Sequence, residues 1–121
     1  MGWPVAHSKS PAVHGYWLKH YNLAGEYQRL PVEPDDLGRA LKSLAEDGFV
    51  GVNLTVPHKK TALEWIDDVS DTARRIGAVN TVIVGSDGGL RATNTDAYGF
   101  MTNLQNGAPD FDAAAGPAVV L

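Results

Sequence analysis

Two residues of this chain, Lys59 and Asp96, could move a proton, and each also has a plainer role open to it. Lys59 comes just after the apolar run Gly51–Val56 ("GVNLTV"), past Pro57 and His58, which places it in the first turn of a helix. The positive end of the helix dipole disfavours a cation there. Such a lysine is either solvated and incidental or held against a carboxylate, and Lys60 beside it reads as solvated. Asp96, in "NTDAYG" (94–99), is either a cap for the helix that follows, a role open equally to Asn94 and Thr95, or the acid partner of a lysine. Brought to one cleft, an ammonium and a carboxylate could pass a proton to or from a substrate oxygen.

Polar residues around these two share the ambiguity. Asn53 and Thr55 are two apart and so point to one side of a strand. Buried polar groups need partners, which neighbouring backbone or a ligand could supply. Asn80 and Thr81, after Gly77-Ala78-Val79, have the same two readings, while Ser8 and Ser10 read most simply as loop and cap residues. Gathered in one cleft, these hydroxyl and amide groups would suit a small polyhydroxylated ligand. His7, His14, His20 and His58 lack metal-ligand spacing: His14 and His20 are six apart, not the three or four that share a helix face. No metal is assigned. No Ser–His–acid order stands out, and Gly85–Gly89 reads as a hairpin turn rather than a phosphate loop.

With 121 residues the chain can build one compact core, and 44% hydrophobic with 20% charged residues sets it apart from disordered sequences. A net charge of −4 argues against nucleic acid or an anionic membrane as partner. The absence of cysteine excludes disulfide and thiolate chemistry and is compatible with a reducing cytoplasm. No apolar stretch is long enough to cross a bilayer, and "MGWPVAHSKSP" lacks the basic start and apolar run of a signal peptide.

The elements that must position these residues can be read from the spacing of apolar residues. Ser10 as N-cap and Pro11 open a helix with a Val13–Trp17–Tyr21 stripe that stops near Gly25. "EYQRLPV" (26–32) reads as a strand, and 34–48 as a helix with Leu37, Ala40, Leu41 and Leu44 on one face and Gly48 at its close. "FVGVNLTV" (49–56) reads as a covered strand, Pro57 starts a helix carrying Leu63 and Ile66, and "SDTARRIGA" supplies a short helix ending near Gly77. "NTVIVGSDGGLRAT" (80–93) reads as a hairpin around the turn at 86–89, and "NTDAYGFMTNL" opens a helix with Tyr98, Met101 and Leu104 available for packing. This pattern predicts an α/β fold: a three-layer sandwich with a mainly parallel sheet, one antiparallel hairpin strand, and helices on both faces. Ligands collect at the carboxyl ends of such strands, and the clusters 53–59, 80–81 and 94–96 are all expected there. "GPAVVL" reads as the start of a further strand after the linker-like "DAAAGP".

Taken in order, "GWPVAHSKSP" (2–11), "GVNLTVPHKK" (51–60), "GAVNT" (77–81) and "NTDAYG" (94–99) resemble the substrate-binding and catalytic domain of the shikimate dehydrogenase family. The resemblance spans almost the whole chain. It implies NADPH-dependent interconversion of 3-dehydroshikimate and shikimate in aromatic amino-acid biosynthesis, in the cytoplasm, with a small-molecule substrate and neither nucleic acid nor membrane as partner. Carried onto matching positions, it implies that Ser8, Ser10 and Thr55 bind the substrate carboxylate, that Asn80 contacts a hydroxyl, and that Asn53 belongs to the same pocket. Lys59 would protonate the C3 oxygen or stabilise its charge, with Asp96 paired to it. Two departures accompany the resemblance. Ala97 stands where the family usually has glycine, and the chain stops where a glycine-rich NADP loop is expected to begin. The expectation is a substrate domain at 1–106 lacking its first strand, then a linker and the first strand of an NADP-binding domain at 107–121, with no cofactor residue in this piece. Such a piece is expected to be inactive alone, with exposed sheet edges covered by a homodimer partner or a swapped strand. A quinate/shikimate dehydrogenase and a cofactor-independent ligand-binding module are the alternatives.

Overall fold

The computed structural model describes residues 1–112 and 114–117. Five helices and four strands follow in the order α1 (Ser10–His20), α2 (Leu37–Ser43), β1 (Gly51–Asn53), α3 (His58–Thr61), β2 (Asp68–Val69), α4 (Asp71–Ile76), β3 (Thr81–Val84), β4 (Leu90–Thr93) and α5 (Asp96–Gly107). Short 3-10 turns at Pro34–Asp36 and Ala62–Glu64 lead into α2 and out of α3.

The strands lie in the order β1-β3-β4-β2. β3 runs antiparallel to both β1 and β4, and β2 runs parallel to β4. Three strands therefore share a direction and the hairpin strand β3 alone opposes them, as expected for the α/β class. Because β3 sits inside the sheet rather than at its edge, two of the three pairings are antiparallel, and the sheet is mixed rather than mainly parallel by pairing. More parallel pairing comes from the first residues of the chain. The Gly2 N–H donates to Leu30 O and the Val32 N–H to Gly2 O, both at 3.2 Å, while on the other side the Thr55 N–H donates to Met1 O at 3.0 Å. The Met1 amine also donates to Asn53 O at 2.7 Å. Met1–Gly2 thus lies between 30–32 and 53–55.

The register row Val52–Val82–Ala92–Val69 turns to the core. Leu37, Leu41 and Leu44 from α2 and its end, Ala62, and Ala73 from α4 complete it, all nearly or fully buried. The next row, Gly51–Ile83–Arg91–Asp68, faces the other way. Ile83 is half exposed there, and Arg91 and Asp68 pair in solvent at 3.3 Å. Neither α1 nor α5 contains a fully buried residue.

Local signals worked where they were chemically complete. Ser70 Oγ accepts from the Ala73 N–H at the start of α4, and Gly77 closes that helix at φ 74°, where a side chain would be strained. Ser10, expected to cap α1, is instead its first residue, and Ser8 Oγ accepts the Ser10 N–H at 3.3 Å. The expected Val13–Trp17–Tyr21 stripe is exposed, because no element of the core packs on α1. Residues 26–32 form a single bridge to Gly2 rather than a strand, since Pro31 has no N–H to extend the ladder. β1 is shorter than expected: beyond Asn53, the Leu54 N–H turns to Asn80 O. The strand expected at 118–121 lies outside the described residues.

Gly51 shows how closely β1 approaches β3. A Cβ there would sit 2.6 Å from the carbonyl oxygen of Val82, which the sheet holds in place. Gly51→Ala is expected to cost about 1–2 kcal/mol, by forcing the ladder apart. A urea melt showing an unchanged midpoint would contradict this close approach.

Candidate active site

The sheet topology brings the site together. The carboxyl ends of β1 and β4 share an edge with the start of β3, because β3 runs the other way. Asn80 therefore reaches the same edge as Asn53 and Asp96 from a strand's beginning, not its end.

Lys59 is the second residue of α3 and Asp96 the first of α5. Lys59 Nζ donates to Asp96 Oδ2 at 2.6 Å. Thr95 is the N-cap residue of α5 and makes no side-chain cap bond, while Asn94 Oδ1, one residue earlier, accepts the Asp96 N–H at 2.9 Å; the Asp96 carboxylate is left to the lysine. A carboxylate at a helix N-terminus is favourable, and it offsets the cation at the N-terminus of α3. The Lys59 hydrogen bond is the main cause holding the Asp96 carboxyl below its ordinary pKa; an Asn80 hydrogen bond and the lysine charge add to it, against partial burial.

Asn80 is the hub of the surrounding network. Its Nδ2 donates to Asp96 Oδ1 at 2.7 Å and to Thr95 Oγ1 at 3.1 Å. Its Oδ1 accepts the Thr95 N–H at 3.0 Å and the Thr81 hydroxyl at 2.9 Å. Asn53 Nδ2 donates to Asn80 O and Thr81 Oγ1, and Asn53 Oδ1 accepts the Tyr27 hydroxyl at 2.8 Å. An unbroken chain of hydrogen bonds thus runs from Tyr27 through Asn53, Thr81 and Asn80 to Asp96 and Lys59.

This network forms one wall of a cavity of about 360 Å³. Ser8, Ser10, Asn53, Thr55, Lys59, Asn80 and Asp96, the seven residues to which the family resemblance gave roles, all line it, while Thr81, Asn94 and Thr95 do not. Tyr27 and Arg29 line it too and were not foreseen. Their spacing of two in "EYQRLPV" carried the same same-side signal as Asn53 and Thr55. Tyr27 stacks on His14 at 4.0 Å between ring centres, and burial raises its phenol pKa above the ordinary value. Arg29 donates twice to the Ser8 carbonyl oxygen. Chemically, the cavity offers an ammonium–carboxylate pair at one side and neutral hydroxyls around it, which fits proton transfer to an oxygen of a hydroxylated ligand.

Among the described residues, no group of three or more His, Asp or Glu side chains could hold a metal ion. The glycine-rich turn at 85–89 does not fit a dinucleotide phosphate. At the glycine-rich turn the Gly85 N–H donates to Gly89 O and the Gly89 N–H to Asp87 Oδ1, so these amides are committed and an acid lies where phosphate would be. No described helix is long and apolar enough to cross a membrane.

Comparison with known proteins places this geometry in a family. A family model described as shikimate dehydrogenase substrate binding domain matches residues 1–82, which include Lys59 and end before Asp96. A shikimate dehydrogenase (NADP(+)) from Ruegeria sp. (strain TM1040) is 51% identical over 120 residues, covering 99% of this chain and 44% of that protein. Shikimate 5-dehydrogenase from Thermus thermophilus, solved in complex with shikimate, superposes with a TM-score of 0.84 at 44% identity, over 96% of this chain and 43% of that one. The ligand-free 5-ketofructose reductase of Gluconobacter sp. strain CHM43 superposes with a TM-score of 0.81 at 33% identity, over 87% of this chain and 38% of that one. The chain therefore spans less than half the length of these relatives. With two thirds of its residues matched by that model and its sheet and helices superposing on those enzymes, the chain belongs to the shikimate dehydrogenase substrate binding domain family.

Proposed function

We propose that this chain is the substrate-binding part of a cytoplasmic, NADP-dependent shikimate dehydrogenase, and that its cavity holds shikimate or 3-dehydroshikimate. The observation that carries the reading is the 2.6 Å bond between Lys59 and Asp96, far apart in sequence, inside a cavity that also gathers Ser8, Ser10, Asn53, Thr55 and Asn80. In this reading the Ser8, Ser10 and Thr55 hydroxyls bind the substrate carboxylate. Lys59 donates a proton to the C3 oxygen, or stabilises the charge forming on it, and Asp96 orients the ammonium. Asn80 holds Asp96 in place and meets a ring hydroxyl, and Asn53 braces the wall between. In the intact enzyme NADPH would supply the hydride to C3 and leave as NADP+, held outside the residues described. Residues 1–106 form the substrate domain, and 107–121 lead into the cofactor-binding part.

Titrating shikimate into the chain while following amide chemical shifts tests the reading. Shifts are expected at Ser8, Ser10, Thr55, Lys59 and Asp96, and an NADPH-coupled assay of the same sample is expected to show no turnover. Saturating shikimate without a shift at any of these residues would overturn the assignment.

A further inference from the structure

We propose that Arg29 makes the cavity selective for a ligand bearing a carboxylate, by clamping the loop that carries Ser8 and Ser10 and by supplying positive charge at that end. The inference rests on the shikimate reading and deepens it. Arg29 Nε and Nη2 donate to the one carbonyl oxygen of Ser8, at 3.0 and 2.8 Å. That fork fixes the Ser8 backbone, and the Ser10 N–H in turn donates to Ser8 Oγ. Two of the guanidinium's five N–H groups are thereby used, and the other three make no hydrogen bond among the described residues.

The charges lining the cavity single out Arg29. The charged side chains there are Arg29, Lys59 and Asp96, alongside His7, His14 and the Met1 amine. Lys59 and Asp96 neutralise each other at 2.6 Å. Burial pushes the Met1 amine down to about 6, so it is mostly uncharged at pH 7. Arg29 has no carboxylate within ion-pair distance among the described residues. The chain as a whole carries −4, a field that repels an anion, and neutral hydroxyl donors lack the direct charge attraction that a guanidinium adds to a carboxylate. Arg29 is the permanently charged lining cation without a carboxylate partner, and so the one placed to offset that repulsion.

The test titrates shikimate and its uncharged methyl ester into the full 121-residue chain by calorimetry, with wild type, Arg29→Gln and Arg29→Lys. Arg29→Gln is expected to weaken the acid about five- to tenfold and the ester by no more than about twofold, erasing the preference for the acid. Arg29→Lys, which keeps the charge but loses the fork, is expected to retain that preference while weakening both ligands. In wild type, added NaCl should weaken the acid and leave the ester unchanged, a readout that needs no variant. Equal weakening of acid and ester by Arg29→Gln, or salt-independent binding of the acid, would overturn the proposal while leaving the shikimate site standing. Failure of wild type to bind either ligand would remove the shikimate reading and this inference together.

Discussion

If the proposed reading holds, Lys59→Met in the intact enzyme is expected to lower kcat by about 10²- to 10⁴-fold while KM changes less than about tenfold. Methionine keeps an apolar stem of similar length and removes only the charge and its protons. In the proposed reading the ground state loses one hydrogen bond to substrate, whereas the transition state loses the proton source, or the charge that faces the forming alkoxide. A lost transition-state interaction therefore appears in kcat more than in KM. The same variant gives a second readout on the chain alone. The Lys59 hydrogen bond is the largest cause of the depressed Asp96 pKa, so the carboxyl is expected to titrate at higher pH in Lys59→Met, followed by carbon NMR of the side chain. A fall in kcat of less than tenfold, with the Asp96 titration displaced as expected, would mean that the proton reaches the substrate from another group.

That the two residues share one edge was legible from the sequence because they sit at the ends of strongly patterned elements, whereas their pairing was what the family resemblance implied. The apolar run before Pro57 and the hairpin before Asn94 set where the chain emerges, and the strand-end rule brings both to one edge. Other features had no local signal. β2 is two residues long and is defined by its neighbour β4, not by its own composition. Whether Asp96 caps α5 or pairs with a cation turns on a lysine 37 positions away in the sequence. The α1 stripe misled because helical spacing shows that a face exists, not that anything packs on it. Tyr27 and Arg29 escaped notice because their segment looked like an ordinary strand; what makes them part of the site is a hydroxyl aimed at Asn53 and a guanidinium aimed at Ser8. Alternation was present in those residues, but the partners that give it meaning lie far away in sequence.

Asn80 is expected to be the costliest polar residue of the site to replace. Asn80→Ala leaves the Thr95 N–H, the Thr81 hydroxyl and Asp96 Oδ1 without their partner at a position only 8% exposed, an expected loss of roughly 3–5 kcal/mol. Asn80→Asp separates the two halves of that role. Its carboxylate still accepts from Thr95 and Thr81, but the group that donated to Asp96 at 2.7 Å becomes a second negative charge. In wild type the folded Asp96 pKa is depressed, so its contribution is present above the unfolded pKa and fades as pH falls through the folded value. In Asn80→Asp one proton is held by the acid pair more tightly than in the unfolded chain, a raised folded pKa. Its contribution is then complete below the unfolded value near 4 and is lost as pH rises, the opposite slope. Because the Asp96 side chain is 55% exposed, water screens the repulsion, and the added loss from pH 4.5 to pH 8 is expected to be about 1 kcal/mol. Urea melts at the two pH values decide it. A gap between variant and wild type that widens at pH 8 fits an amide whose donor separates Asp96 from a like charge, whereas a gap independent of pH would reduce Asn80 to a packing residue and leave Asp96 to be placed by Lys59 alone.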